Sequence, residues 1–127
     1  MREILFRGKR ADNGEWEYGD LWCNPYGKRV VCIVSPINDQ GTTGGNEVDP
    51  ETVGQYTGLK DKNGKKIFEG DILRDDDNEE NGVVEFIAGE FCVVFGNVET
   101  HGIYDIACCC YVIGNIHDNH ELLEGCE

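Results

Sequence analysis

The chain has 127 residues, 39% hydrophobic and 28% charged, enough for a real hydrophobic core, and no apolar stretch approaches the roughly 20 residues that span a bilayer. Its formal net charge is −14, and the imbalance sits in one place: residues 67–127 hold one base, Arg74, and fifteen acids, while residues 1–66 hold ten of each. A surface of that sign repels phosphate and releases no counterions on meeting it, which argues against direct DNA or RNA binding by the C-terminal half; the neutral half is no basic patch either.

Short apolar runs separated by turn chemistry predict a mainly β chain. Arg2–Phe6 opens a strand, Ala11-Asp12-Asn13-Gly14 turns it, and Glu15–Trp22 alternates with Trp16 and Tyr18 on one face. After a turn at Asn24–Gly27, Arg29–Val34 reads as a short buried strand, which completes an N-terminal meander. The polar stretch Ser35–Pro50 reads as a long loop and as the boundary between an N-terminal β lobe, 1–50, and a second lobe, 51–127.

The second lobe restarts at Thr52–Thr57. A turn at Asp61-Lys62-Asn63-Gly64 follows, then Ile67-Phe68 and Asp71–Arg74 on either side of Gly70. Asp75–Glu80 is an acidic loop, Val83–Ile87 and Glu90–Phe95 form a hairpin around Ala88-Gly89, and Tyr104–Ile113 is a further strand. Asp118–Glu124 is the one helical turn expected, capped by Asp118 or Asn119. So many short strands in so few residues suggest a small barrel. Tyr18-Gly19-Asp20-Leu21 echoes Glu69-Gly70-Asp71-Ile72, which turn statistics explain without a duplication.

The seven cysteines are Cys23, Cys32, Cys92, Cys108, Cys109, Cys110 and Cys126. Their odd number, and the strand-like apolar surroundings of several, fit a reducing compartment and small core residues rather than a disulfide framework. The opening Met1–Arg7 has too short an apolar run for a signal peptide, and the expected location is the cytoplasm.

No motif with a chemical mechanism emerges. Cys108, Cys110, His117 and His120 are zinc ligand types at a spacing that matches no closed structural site. The acidic run from Asp75 places Glu80 and Phe86 where a calcium loop needs glycine and glutamate. Ser35 is the sole serine, Cys92 with His101 is a pair on paper only, and Gly41–Gly45 lacks the lysine and helix of a phosphate loop. Neither an enzyme nor a cofactor is expected.

The stretch Gln55-Tyr56-Thr57-Gly58-Leu59-Lys60-Asp61-Lys62-Asn63-Gly64-Lys65-Lys66-Ile67-Phe68-Glu69-Gly70-Asp71-Ile72 resembles the central signature of the YopX family. Met1-Arg2-Glu3-Ile4 with Phe6-Arg7 resembles its opening, and Val112-Ile113-Gly114-Asn115-Ile116-His117 with Leu122-Leu123-Glu124 its ending. The resemblance implies a C-terminal lobe like an SH3-like barrel and a setting in bacteriophages and prophages, hence a bacterial host cell. It implies no established activity and no catalytic residues. Cys108-Cys109-Cys110 and Gly41–Gly45 lie outside its motifs and inherit no role.

The expected function is that of a noncatalytic phage accessory protein, acting on a basic protein partner through Asp71, Asp75, Asp76, Asp77, Glu79 and Glu80. Asp71 has two readings, turn acceptor or part of an exposed site. A second expectation is a small barrel that binds nucleic acid through Arg2, Arg7, Lys9, Arg10 and Trp16. A third is a self-associating homo-oligomer built on exposed strand edges. No membrane partner is expected.

Overall fold

The computed structural model describes residues 5–23, 31–34, 45–77, 79–96 and 99–124. It is mainly β, with antiparallel pairing, and divides into two compact units, Met1–Tyr56 and Thr57–Glu127. Among the described residues no helix is long and apolar enough to cross a membrane.

The first unit holds β1 (Phe6–Lys9), β2 (Trp16–Cys23), β3 (Val31–Val34), β4 (Gly45–Val48) and the start of β5 (Gly54–Lys60), in the sheet order β4-β3-β2-β1-β5. The turn around Asn13-Gly14 sets the β1–β2 register, with Lys9 opposite Trp16 and Phe6 opposite Gly19. The end of β4 also meets the end of β1: Arg10 bridges Val48, and the Ala11 and Asp49 N–H groups bond the Glu47 and Lys9 carbonyls at 3.0 and 2.8 Å. The sheet thus curls back on itself around Val48, which is 1% exposed.

The second unit holds the rest of β5, β6 (Lys66–Phe68), β7 (Asp71–Asp75), β8 (Glu80–Ile87), β9 (Glu90–Phe95), β10 (Glu99–Gly102), α1 (Ile103–Ile106), β11 (Tyr111–Asn115) and α2 (Glu121–Glu124). Its five-stranded sheet runs β10-β9-β8-β7-β11, so among the described residues it has two edges rather than a closed ring. Phe91, Val93 and Phe95 alternate along β9 onto one face. They build a core with Ile67, Leu73, Val84, Ile103, Ala107 and Cys110.

Several sequence expectations shift. The first described strand is Phe6–Lys9, because the chain stays extended up to the Asn13-Gly14 turn, and most of the expected strand Arg2–Phe6 falls outside the described residues. Gly45–Val48 is strand, not loop: Val48 is drawn inward, and Asp49 then caps a 3-10 turn, Pro50–Thr52, by accepting the Glu51 N–H. Most of the expected loop, and the turn at Asn24–Gly27, fall outside the described residues.

The largest correction is at Tyr104–Ile113. Ile103–Ile106 is helical, a turn follows, and strand resumes only at Tyr111. The core positions Ile103, Ala107 and Cys110 recur at helical spacing, with the partly buried Ile106 beside them. The echoed Gly-Asp pairs also differ, since Gly19-Asp20 lies within β2 whereas Asp71 begins β7 after a bend. The helical turn Glu121–Glu124 forms where the sequence expects one, with the Leu122 N–H on the Asn119 carbonyl at 3.0 Å.

Candidate functional site

The acidic run occupies the β7–β8 turn of the second unit. Asp75 is half-buried; Asp76, Asp77, Glu79 and Glu80 are exposed, and Glu79 adopts a positive φ of 53°. The Asp75 carboxylate accepts the Asp77 N–H at 3.0 Å, which holds the turn.

Asp76 is engaged from three sides. Its Oδ1 accepts the Tyr111 hydroxyl at 3.1 Å and the Arg74 Nε–H at 3.3 Å, and its Oδ2 lies 3.9 Å from Lys62 Nζ. Lys62 Nζ also sits 4.7 Å over the Tyr111 ring, and burial followed by the Asp76 bond pushes the Tyr111 hydroxyl pKa up. Arg74 divides itself, with a second bond to Asn81 Oδ1 at 3.3 Å. The single base of residues 67–127 is therefore committed to Asp76 and Asn81, while Asp77, Glu79 and Glu80 are exposed on the same turn. No sequence signal pointed to Lys62 and Tyr111 as partners of Asp76, because their approach depends on the β7–β11 pairing.

Asp71 lies apart from that surface. It is 2% exposed, and its Oδ2 accepts the Phe68 N–H at 2.7 Å across the bend that starts β7. Of its two readings the structure shows the turn acceptor.

The remaining signature residues are also occupied by the fold. Asp61 Oδ1 accepts the Asn63 and Lys65 N–H groups, both at 2.9 Å, and Oδ2 accepts the Val112 N–H at 2.8 Å. Burial pushes the Asp61 carboxyl pKa up, but the three backbone donors outweigh it and hold the pKa below the usual carboxylate range. In the C-terminal block a side chain at Gly114 would collide with Asn119, whose Oδ1 is 2.5 Å from a Cβ placed there. Asn115 Oδ1 accepts the His117 and Asp118 N–H groups, both at 3.0 Å.

The other sequence candidates separate. Cys92 is buried in β9, and burial followed by Glu90 raises its thiol pKa. Gly102 faces Cys92 and His101 faces Val93, so strand alternation puts Cys92 and His101 on opposite faces. Cys110 is 1% exposed while Cys108 is exposed, which splits the drawn zinc set; among the described residues no three His, Cys, Asp or Glu side chains converge as metal ligands. In the first unit Arg7 is 6% exposed, its guanidinium carbon 4.7 Å above the Trp16 ring with Lys9 Nζ 5.8 Å away. Arg10 pairs with Asp12 at 2.7 Å and Glu17 at 3.5 Å. The arginine charges named for nucleic acid are thus largely turned to internal partners, except Arg2, which lies outside the described residues.

Comparison with known proteins places the whole chain. The family model described as "YopX protein" matches residues 5–124. Among solved structures, the chain is similar to protein EF1440 from Enterococcus faecalis, at 26% sequence identity and a TM-score of 0.63, covering 97% of this chain and 99% of that one. No curated protein matches.

Proposed function

The chain belongs to the YopX family, and we propose that it is a noncatalytic accessory protein of phage or prophage that binds a basic protein surface through the β7–β8 turn. One observation carries this reading: Asp77, Glu79 and Glu80 are exposed on a turn whose Arg74, together with Lys62 from the β5–β6 turn, is already engaged by Asp76. Their field extends outward and would speed encounter with a cationic partner at low salt. The burial of Cys92 with a raised thiol pKa, on the face opposite His101, supports a role without nucleophilic chemistry. The family's signature residues Asp61, Asp71 and Gly114 serve turns and close packing, which leaves recognition to surface positions between the motifs.

The test is capture from bacterial lysate on immobilised protein, beside an Asp77→Lys/Glu79→Lys/Glu80→Lys variant. A protein held by the wild type at low salt, released at high salt and not held by the variant is the expected result. Equal capture by both, or no capture by the wild type, overturns the proposal.

A further inference from the structure

The turn between α1 and β11 carries three consecutive cysteines, and the fold treats them unequally. Ala107 and Cys110 pack into the core at 6% and 1% exposure. The Cys109 and Cys110 N–H groups both reach the Ile106 carbonyl, at 2.9 and 3.1 Å, and the Cys110 carbonyl accepts the Lys62 N–H at 3.1 Å. Cys108 and Cys109 are thereby turned to solvent on a backbone anchored at either side, with their Sγ atoms 3.7 Å apart.

A disulfide suits this pair poorly. Adjacent Cα atoms across a trans peptide lie about 3.8 Å apart, below the roughly 4.4–6.8 Å that disulfides usually span. A single atom between the sulfurs suits it well. Two sulfurs each about 2.3 Å from one pyramidal three-coordinate centre, at an angle of about 95°, stand about 3.4 Å apart, whereas a linear arrangement would need about 4.6 Å, so the observed pair needs only a small closure to hold a bent centre. With no third ligand converging among the described residues, the centre must bring its remaining substituents with it.

We propose that Cys108 and Cys109 form a bidentate dithiol site for a thiophilic centre that takes two sulfurs at a bent angle, of the class of monosubstituted trivalent arsenicals. In the binding step each thiol gives up its proton, two S–As bonds form, and the arsenic-bound oxygen leaves as water; no electrons are transferred. The Cys108 thiol first, then burial, and then the Asp77 and Asp75 carboxylates raise the Cys109 pKa. Cys109 therefore waits as a thiol, and the site gains its selectivity from chelation.

The probe is phenylarsine oxide, added to the reduced full-length chain and followed by intact-mass measurement and by mapping of thiols protected from iodoacetamide. The expected result is one phenylarsenic group per chain, with Cys108 and Cys109 as the protected residues. Cys108→Ser and Cys109→Ser, each confirmed folded by circular dichroism, should each weaken uptake about a hundredfold, since loss of either sulfur removes the intramolecular second bond. No uptake by the wild type, unchanged uptake in either variant, or arsenical-dependent protection of a different cysteine that iodoacetamide labels in its absence overturns the proposal.

Discussion

The Asp61 carboxylate accepts the backbone N–H of Val112 at 2.8 Å, which ties the β5–β6 turn to β11 across a sequence separation of 51 residues. The same carboxylate bonds the N–H groups of Asn63 and Lys65, so one buried side chain both shapes a hairpin and holds a distant strand. Asp61→Asn should separate these two duties. The amide oxygen can keep the hairpin bonds, but the amide nitrogen then faces the Val112 N–H, donor against donor. A loss of about 1.5–3 kcal/mol is expected, the usual worth of a hydrogen bond to a charged group. Urea denaturation should show the midpoint falling with little change in slope.

Acid should probe the same residue. The folded pKa of Asp61 is depressed, so its contribution is present above the unfolded value of about 3.9 and is lost as pH falls through the folded value. The stability gap between wild type and Asp61→Asn should therefore be widest near neutral pH and narrow steadily below about pH 4. Thermal melts of both proteins across that range provide the check, and a gap that widens toward acid would contradict it.

How much of this was legible in the sequence depended on the range of the interaction. Asn63-Gly64 announces its own hairpin, because Gly64 takes a φ of +84° that side chains resist, and strands β8 and β9 follow from alternation about Ala88-Gly89. Gly45–Val48 was not legible, because its strand character comes from pairing with β3 and with Arg10 rather than from its own polar composition. The helix at Ile103–Ile106 was misread because Tyr, Cys, Val and Ile suit strands, although Ile103, Ala107 and Cys110 carry a helical period. For the acidic turn, composition showed the excess of charge. It could not show that Asp71 is buried, or that Lys62 and Tyr111 hold Asp76.

Gly82 and Gly64 should respond differently to alanine. A Cβ on Gly82 would lie 2.6 Å from Val93 Cγ1 and 2.9 Å from the Phe95 ring, both buried core atoms on the neighbouring strand. Around Gly64 nothing lies within 4 Å, so alanine there meets only the positive φ. Gly82→Ala should cost about 2–3 kcal/mol by overpacking, and Gly64→Ala about 1–2 kcal/mol by backbone strain. Denaturation of double variants identifies the overpacking: Val93→Ala should restore part of the loss in Gly82→Ala, because it makes room for the added methyl, and should restore none of it in Gly64→Ala.

The four thiols among the described side chains should fall into two kinetic classes. Cys110 is 1% exposed and burial pushes its pKa up to about 11, so in the folded protein it is shielded and almost wholly protonated. Cys108 and Cys109 are exposed on the same turn. Iodoacetamide at neutral pH should label Cys108 and Cys109 in the native state and reach Cys110 and Cys92 only after denaturation. Peptide mapping over time checks this, and early labelling of Cys110 would show that the turn is not anchored as described.

Asp76 and its neighbours in the turn should differ in what they contribute. Asp76 meets Arg74, Lys62 and Tyr111, yet its side chain is 55% exposed, and water screens ion pairs of that kind. Asp76→Asn should therefore change stability by less than about 1 kcal/mol, with the effect fading in high salt. Its consequence for charge is larger than for stability. Removing the Asp76 carboxylate leaves Arg74 and Lys62 to offset the carboxylates beside them, so the negative field of the turn falls by one charge, as it does when Asp77 is neutralised. If the turn recruits a basic partner, Asp76→Asn should slow association at low salt as much as Asp77→Asn does, although only Asp77 lacks a cation of its own among the described ion pairs. Association rates of the two variants at several salt concentrations decide this: a slower rate for Asp77→Asn alone would mean that the internal cations do not govern the field of the turn.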